Sequence, residues 1–183
     1  MDDSEGTGGY ADLQQLVLAM PAGSAEWQKP TELLLNLWLD DYWLFSPNPE
    51  VVETRAQRFS YLFDVNAARL IAAWGVSTGR SDEERDTGRQ RDHPMSAGAL
   101  YHRGHAIPHR FGGGMDINIV PQLGSVNIGS FRPLENKAVA TPGSLYFTHW
   151  TYRGAIGRGQ TPTGVNQGLL VAGQPPLIRH HGN

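Results

Sequence analysis

A chain of 183 residues with 39% hydrophobic and 18% charged side chains is long enough for one domain with a real core. Its 22 glycines and 12 prolines point to turns and long loops and away from a helix bundle. The lack of cysteine excludes disulfides, thiolate zinc sites and cysteine nucleophiles. No apolar run approaches the ~20 residues of a membrane span, and the acidic, polar start is unlike a Sec signal peptide. These readings predict a protein with no membrane segment, cytoplasmic or delivered to a target cell by a non-Sec route.

The net charge of −3 conceals an asymmetry. Residues 1–53 hold one lysine against ten acidic residues, whereas residues 54–183 hold fourteen Lys and Arg against eight acidic residues. A polyanion-binding face belongs on the second part. Ordinary solvated surfaces would account for the same split.

In chain order, residues 1–9 read as disordered. Leu13, Leu16, Val17 and Met20 have helical spacing over 10–20. Ser24 is a candidate N-cap for a second helical stretch that tolerates Pro30 only in its first turns. Residues 31–45 read as a helix with a broad apolar face, and 46–50, with two prolines, as a turn. Residues 58–64 and 68–77 read as a hairpin around Asp64–Asn66, although Ala67–Trp74 also suits a helix. Residues 78–94 form a charged loop whose Arg80, Arg85, Arg89 and Arg91 could meet phosphates or simply be solvated. Residues 117–120 read as a short strand stopped by Pro121, and 127–140 as a helix that must hold Pro133 in its first turn or kink there. Residues 144–153 and 165–172 are strand candidates. Arg179-His180-His181 reads as a surface tail. The glycine-rich run at 153–159 lacks the Lys-Ser/Thr of a P-loop.

The densest chemistry lies between His102 and Glu135: HRGHAIPHRFGGGMDINIVPQLGSVNIGSFRPLE. Cutting a phosphodiester needs an activated water, stabilisation of the charge building on phosphorus, and help for the leaving oxygen. A neutral histidine is the natural base near neutrality. A single Mg²⁺ keeps most of its waters and needs few protein ligands, all of them oxygen, so one Asn carbonyl and a nearby carboxylate are enough. A zinc cluster of His102, His105 and His109 is the competing reading. It requires a closed shell of four ligands, and Pro108 is unfavourable to a helical His-x-x-x-His.

The ordered set Arg-Gly-His, Asn-Ile-x-Pro-Gln, Asn-x-Gly and Leu-Glu resembles the non-specific DNA/RNA endonucleases of the ββα-metal (His-Me finger) superfamily, on its toxin-like branch. The resemblance is dense over 103–135 and looser through the flanking strands; residues 1–49 have no counterpart in it. It implies an α+β fold, a ββα-metal core with an antiparallel sheet preceded by an N-terminal helical segment. It divides the chain into an acidic segment at 1–50, for docking or oligomerisation, and a nuclease domain at 51–183. By resemblance, His105 is the general base and Arg103 supports the phosphate or the site geometry. Asn127 is the direct metal ligand, Glu135 orients metal-bound water, and Asn118 buttresses the histidine or the loop. Gly104 lets the backbone pass close to substrate, and Arg110 and Arg132 are candidate substrate contacts.

The implied cofactor is Mg²⁺, with Mn²⁺ as a substitute. The implied partners are DNA and/or RNA, an immunity or activating protein, and another copy of the chain through the N-terminal helices. Deployment as a toxin or defence effector follows from the same branch. Two departures stand out: His102 occupies the position where the family carries Asp, and the loop from His105 to Asn118 is short. The first motivates an alternative, a catalytically degenerate nucleic-acid-binding subunit of a larger complex.

Overall fold

The computed structural model describes residues 10–82, 88, 91, 93–95, 97–153 and 159–183. The stretch expected to be disordered, 1–9, lies outside these, as do Arg85, Arg89 and most of the 153–159 loop. Among the described residues, two helices, α1 (Ala11–Leu18) and α2 (Gln28–Phe45), precede eight strands. These are β1 (Val51–Ala56), β2 (Phe59–Asp64), β3 (Arg69–Val76), β4 (Tyr101–His105), β5 (Ile119–Leu123), β6 (Leu145–Thr151), β7 (Gly164–Leu170) and β8 (Leu177–Gly182). A third helix, α3 (Arg132–Val139), lies between β5 and β6. The main sheet has six antiparallel strands in the order β1-β2-β3-β6-β7-β8, and β4 and β5 form a separate two-stranded sheet. The fold is α+β, as expected.

Residues 69–76 are a strand and not the competing helix. All of the inner residues of β3 are buried, on both faces, whereas a helix would bury one stripe. β6 is buried along its whole length for the same reason. Its side chains alternate between two covering layers. Phe147 and His149 face α2, where Trp38 lies with ring centroids 5.3 and 5.9 Å away. Tyr146 and Trp150 face the other way, onto Phe111 at 5.0 Å and Phe131 at 6.1 Å. The Thr148 hydroxyl donates to the Ala106 carbonyl on that same side. One hydrophobic cluster therefore spans both layers and includes Leu13, Val17, Trp27, Leu34, Trp38 and Tyr42 of the N-terminal helices.

Several sequence expectations need correction. α2 begins at Gln28, anchored by the Trp27 indole N–H on the Gly143 carbonyl at 2.8 Å. Ser24 does not cap it; its hydroxyl accepts from the Glu26 amide. β1 was missed from the sequence because its six residues, half of them polar, follow no alternating burial and lie largely exposed at the sheet edge. Residues 179–181 are no tail: they belong to β8, the opposite edge, held by register to β7.

Candidate active site

The unit inserted between β3 and β6 runs strand, loop, strand, helix. β4 and β5 pair in register from Tyr101↔Leu123 to His105↔Ile119. Pro121 sits inside β5 and does not end it. The Leu123 amide and Pro121 carbonyl both bond the Asn183 side chain, at 2.8 and 3.0 Å. The polar groups of residues 121 and 123 thus point to the outer edge, where a missing N–H costs the ribbon nothing.

The loop after His105 is built around Asn118. This side chain is fully buried. Its Oδ1 accepts from the Ile107 amide at 2.7 Å, and its Nδ2 donates to the carbonyls of Ile107 and Gly114 at 2.8 and 2.9 Å. The Asn118 carbonyl accepts from the Ala106 amide. Asn118 therefore ties down the backbone immediately after His105 and has no surface for substrate. A Cβ on Gly113 would fall 2.0 Å from the Ile107 carbonyl oxygen, so this close crossing requires glycine. His105 itself is 6% exposed, its ring edge-on to His109 at 6.1 Å, with Nε2 out of solvent contact.

After β5 the chain makes a π-helical turn, Val126–Ser130, closed by the Phe131 amide on the Val126 carbonyl, and continues into α3. Pro133 falls in the first turn of α3, where no backbone N–H is needed. The π turn also sets register. Eight residues of ideal α-helix put Asn127 and Glu135 about 80° apart; one extra residue in a wide turn reduces this to about 20°. The turn thus brings the two onto one face. The Asn127 Nδ2 lies 3.3 Å from Nδ1 of His102, and its Oδ1 takes part in no hydrogen bond among the described residues.

α3 is held to the main sheet at both ends. The Gln167 carboxamide donates to the Phe131 carbonyl at 3.1 Å and the Tyr146 hydroxyl at 2.9 Å, and the Ser77 hydroxyl donates to the Ala138 carbonyl at 2.7 Å. The Tyr146 phenol is held well above its ordinary pKa, first by burial and then by the negative charge of Glu135, against the opposing bond from Gln167. Glu135 therefore points its field into the sheet side of the site.

The arginines are spread out. Arg103 Nε donates to the His93 carbonyl at 2.6 Å. Arg110 donates to the Asn136 side chain on α3, and Arg132 is exposed at the start of that helix. Gly104 does not open the backbone to substrate. The Gln122 carboxamide lies across it, so that a Cβ there would be 2.3 Å from Oε1. Gln122 is fully buried, and sequence reading passed over it as part of a strand motif.

Among the described residues, no group of three or more His, Cys, Asp or Glu could hold a metal, which removes the zinc cluster. A carboxamide oxygen with a carboxylate two turns on along one face is instead a donor set for a hard cation that keeps its own waters. No helix among the described residues is long and apolar enough to cross a membrane.

Residues 62–143 match the family model described as DNA/RNA non-specific endonuclease. That stretch includes β3, the entire ββα insertion and the residues up to β6. The fold is similar to the crystal structure of NucA from Streptococcus agalactiae, solved with no metal bound. The likeness has a TM-score of 0.50 and 18% identity, covering 75% of this chain and 72% of that one. At that identity it speaks to the fold alone. No curated protein matches the chain by sequence.

Proposed function

On the premise that the chain carries a DNA/RNA non-specific endonuclease domain over residues 62–143, we propose that it is a metal-dependent endonuclease cutting DNA and/or RNA with little base preference. The observation that carries the reading is the π-helical turn with Asn127 running into the helix with Glu135, which by helix geometry turns the two toward one face, beside a strand that ends in His105. Asn127 would hold one Mg²⁺, or Mn²⁺ in its place, through Oδ1, and Glu135 would accept hydrogen bonds from the cation's waters. Such an ion supplies charge neutralisation at the scissile phosphate and at the leaving oxygen.

His105 takes the proton from the attacking water. Asn118 keeps the ring in place by fixing the backbone at 106 and 107. Arg103, bonded to the His93 carbonyl, supports the strand that carries the base. Arg110 and Arg132 meet flanking phosphates, contacts that carry no sequence information. Plasmid digestion with Mg²⁺ tests the reading: His105→Ala and Asn127→Ala should each lower cleavage by roughly 10²–10⁴-fold, and unchanged activity in either sinks it.

His102 in the carboxylate's position favours a second reading, a nucleic-acid-binding subunit without catalysis. Filter binding retained without cleavage in Mg²⁺ and Mn²⁺ would select it. As for deployment, a toxin or defence effector fits the toxin-like motif. Trp43 and Leu44, 55% and 77% exposed at the end of α2, are where an immunity or activating protein, or a second copy of the chain, would dock.

A further inference from the structure

We infer that His102 is a positioning residue for Asn127. The inference rests on the endonuclease reading for the role of Asn127. Its geometric core stands independently.

His102 occupies the second position of β4, across from Gln122. The far end of its ring lies over Gly124, just beyond β5: a Cβ there would fall 2.7 Å from Nε2, 3.0 Å from Cε1 and 3.3 Å from Cδ2. A side chain at 124 would push the imidazole from that seat. So seated, the ring presents Nδ1 to the Asn127 Nδ2 at 3.3 Å. A carboxamide NH₂ can only donate, so Nδ1 is the acceptor and the ring proton sits on Nε2. An Asn side chain has two nearly equivalent orientations about its last torsion. Engaging Nδ2 selects one and turns Oδ1 the opposite way.

Asn127 stands in the π-helical turn on the face it shares with Glu135. Fixing Nδ2 on His102 therefore fixes which atom a cation on that face meets: the carbonyl oxygen, never the NH₂. An Asp at position 102 would be free to take hydrogen bonds from hydration waters directly. The imidazole instead acts through Asn127, and Gly124 acts through the imidazole.

The experiment combines three readouts on the full chain. Long-range ¹H–¹⁵N correlation of the imidazoles at mildly alkaline pH should show His102 with its proton on Nε2. The Asn127 side-chain amide resonances should shift in His102→Ala. Metal affinity is read from the free Mn²⁺ signal in electron paramagnetic resonance, apart from any cleavage. Losing an outer partner of a ligand typically weakens metal binding roughly 10–100-fold. His102→Ala and Gly124→Ala should both fall in that range, and His102→Gln, whose Oε1 can accept from Nδ2, should recover most of the loss.

A proton on Nδ1, or Asn127 amide resonances unmoved in His102→Ala, overturns the proposal whether or not the protein cuts nucleic acid. Unchanged Mn²⁺ affinity in His102→Ala, with cleavage intact and Asn127→Ala inactive, also overturns it while leaving the endonuclease reading standing. The expected tautomer and amide shift in a protein that neither binds Mn²⁺ nor cleaves would uphold the His102–Asn127 pairing and remove the endonuclease reading.

Discussion

The two faces of β6 show the same strand serving two ends. Toward α2 it presents Phe147 and His149, packed on Trp38, in a layer of aromatic rings. Toward the ββα unit it presents Tyr146, Thr148 and Trp150, and there the contacts are mixed, with a hydroxyl on the Ala106 carbonyl and a phenol bonded to Gln167. The first face supplies stability through area. The second supplies placement through directional bonds, because Ala106 follows the candidate base and Gln167 holds the start of the helix that carries Glu135. The N-terminal helices thus form one of the two layers packed on the strand that the site stands on.

Breaking either face should separate these roles. The largest effect is expected on the ββα side: His105→Ala or Asn127→Ala should lower cleavage by roughly 10²–10⁴-fold, the range of a lost proton-transfer group. Thermal melts should hardly move. On the other face, Trp38→Ala should cost about 3–5 kcal/mol in urea unfolding, as for large core truncations. Cleavage per folded molecule should persist. If Trp38→Ala spares stability, the helices are not structural, and the contrast fails.

Asn118→Ala sits between the two. It loses bonds to three backbone groups in a dry site, which should cost about 3 kcal/mol. It should also slow cleavage by freeing the turn after His105, measurable as a fall in kcat that outstrips the loss of folded protein.

His149 gives the α2 face a pH signature. Burial lowers its pKa from 6.5 to about 4, with Asp41 opposing and Arg153 adding to the fall. Between those values the unfolded chain binds the proton and the folded chain does not. Stability is therefore full above pH 6.5 and is lost as pH falls toward 4. The loss should be on the order of 3 kcal/mol. Urea titrations across that window should slope in the wild type and lie flatter in His149→Leu.

The smallest effect should come from Arg153→Ala. Its bond to Asp41 is short, at 2.8 Å, but the arginine is 57% exposed. Such pairs are worth up to about 1 kcal/mol, and added salt should erase the difference.

Some of this was open to reading in the chain. Residues 103–135 carry their meaning locally, in the order and spacing of Arg103, His105, Asn118, Asn127 and Glu135, and a hairpin such as β2–β3 is written in β-branched and aromatic residues around one turn. The strand ends of the main sheet were less legible. β1 and β8 are largely exposed edges whose identity comes from the neighbours they pair with, β2 and β7. Pro121 looked like a stop because its harmlessness depends on Asn183, far along the chain, covering the outer edge of β5.

The sequence by itself determined the helical pattern of the N-terminal segment, the β2–β3 hairpin and the residue types at the site, and the resemblance of its ordered motifs implied the α+β class and the ββα order. Tertiary structure alone decided the rest. It made Asn118 a buried backbone clamp, covered Gly104 with Gln122, laid His102 on Gly124 against Asn127, and joined the acidic N-terminal helices to the core of the sheet. Each of these is a contact between residues distant in sequence or packed through the fold, and only the closed three-dimensional chain brings such partners together.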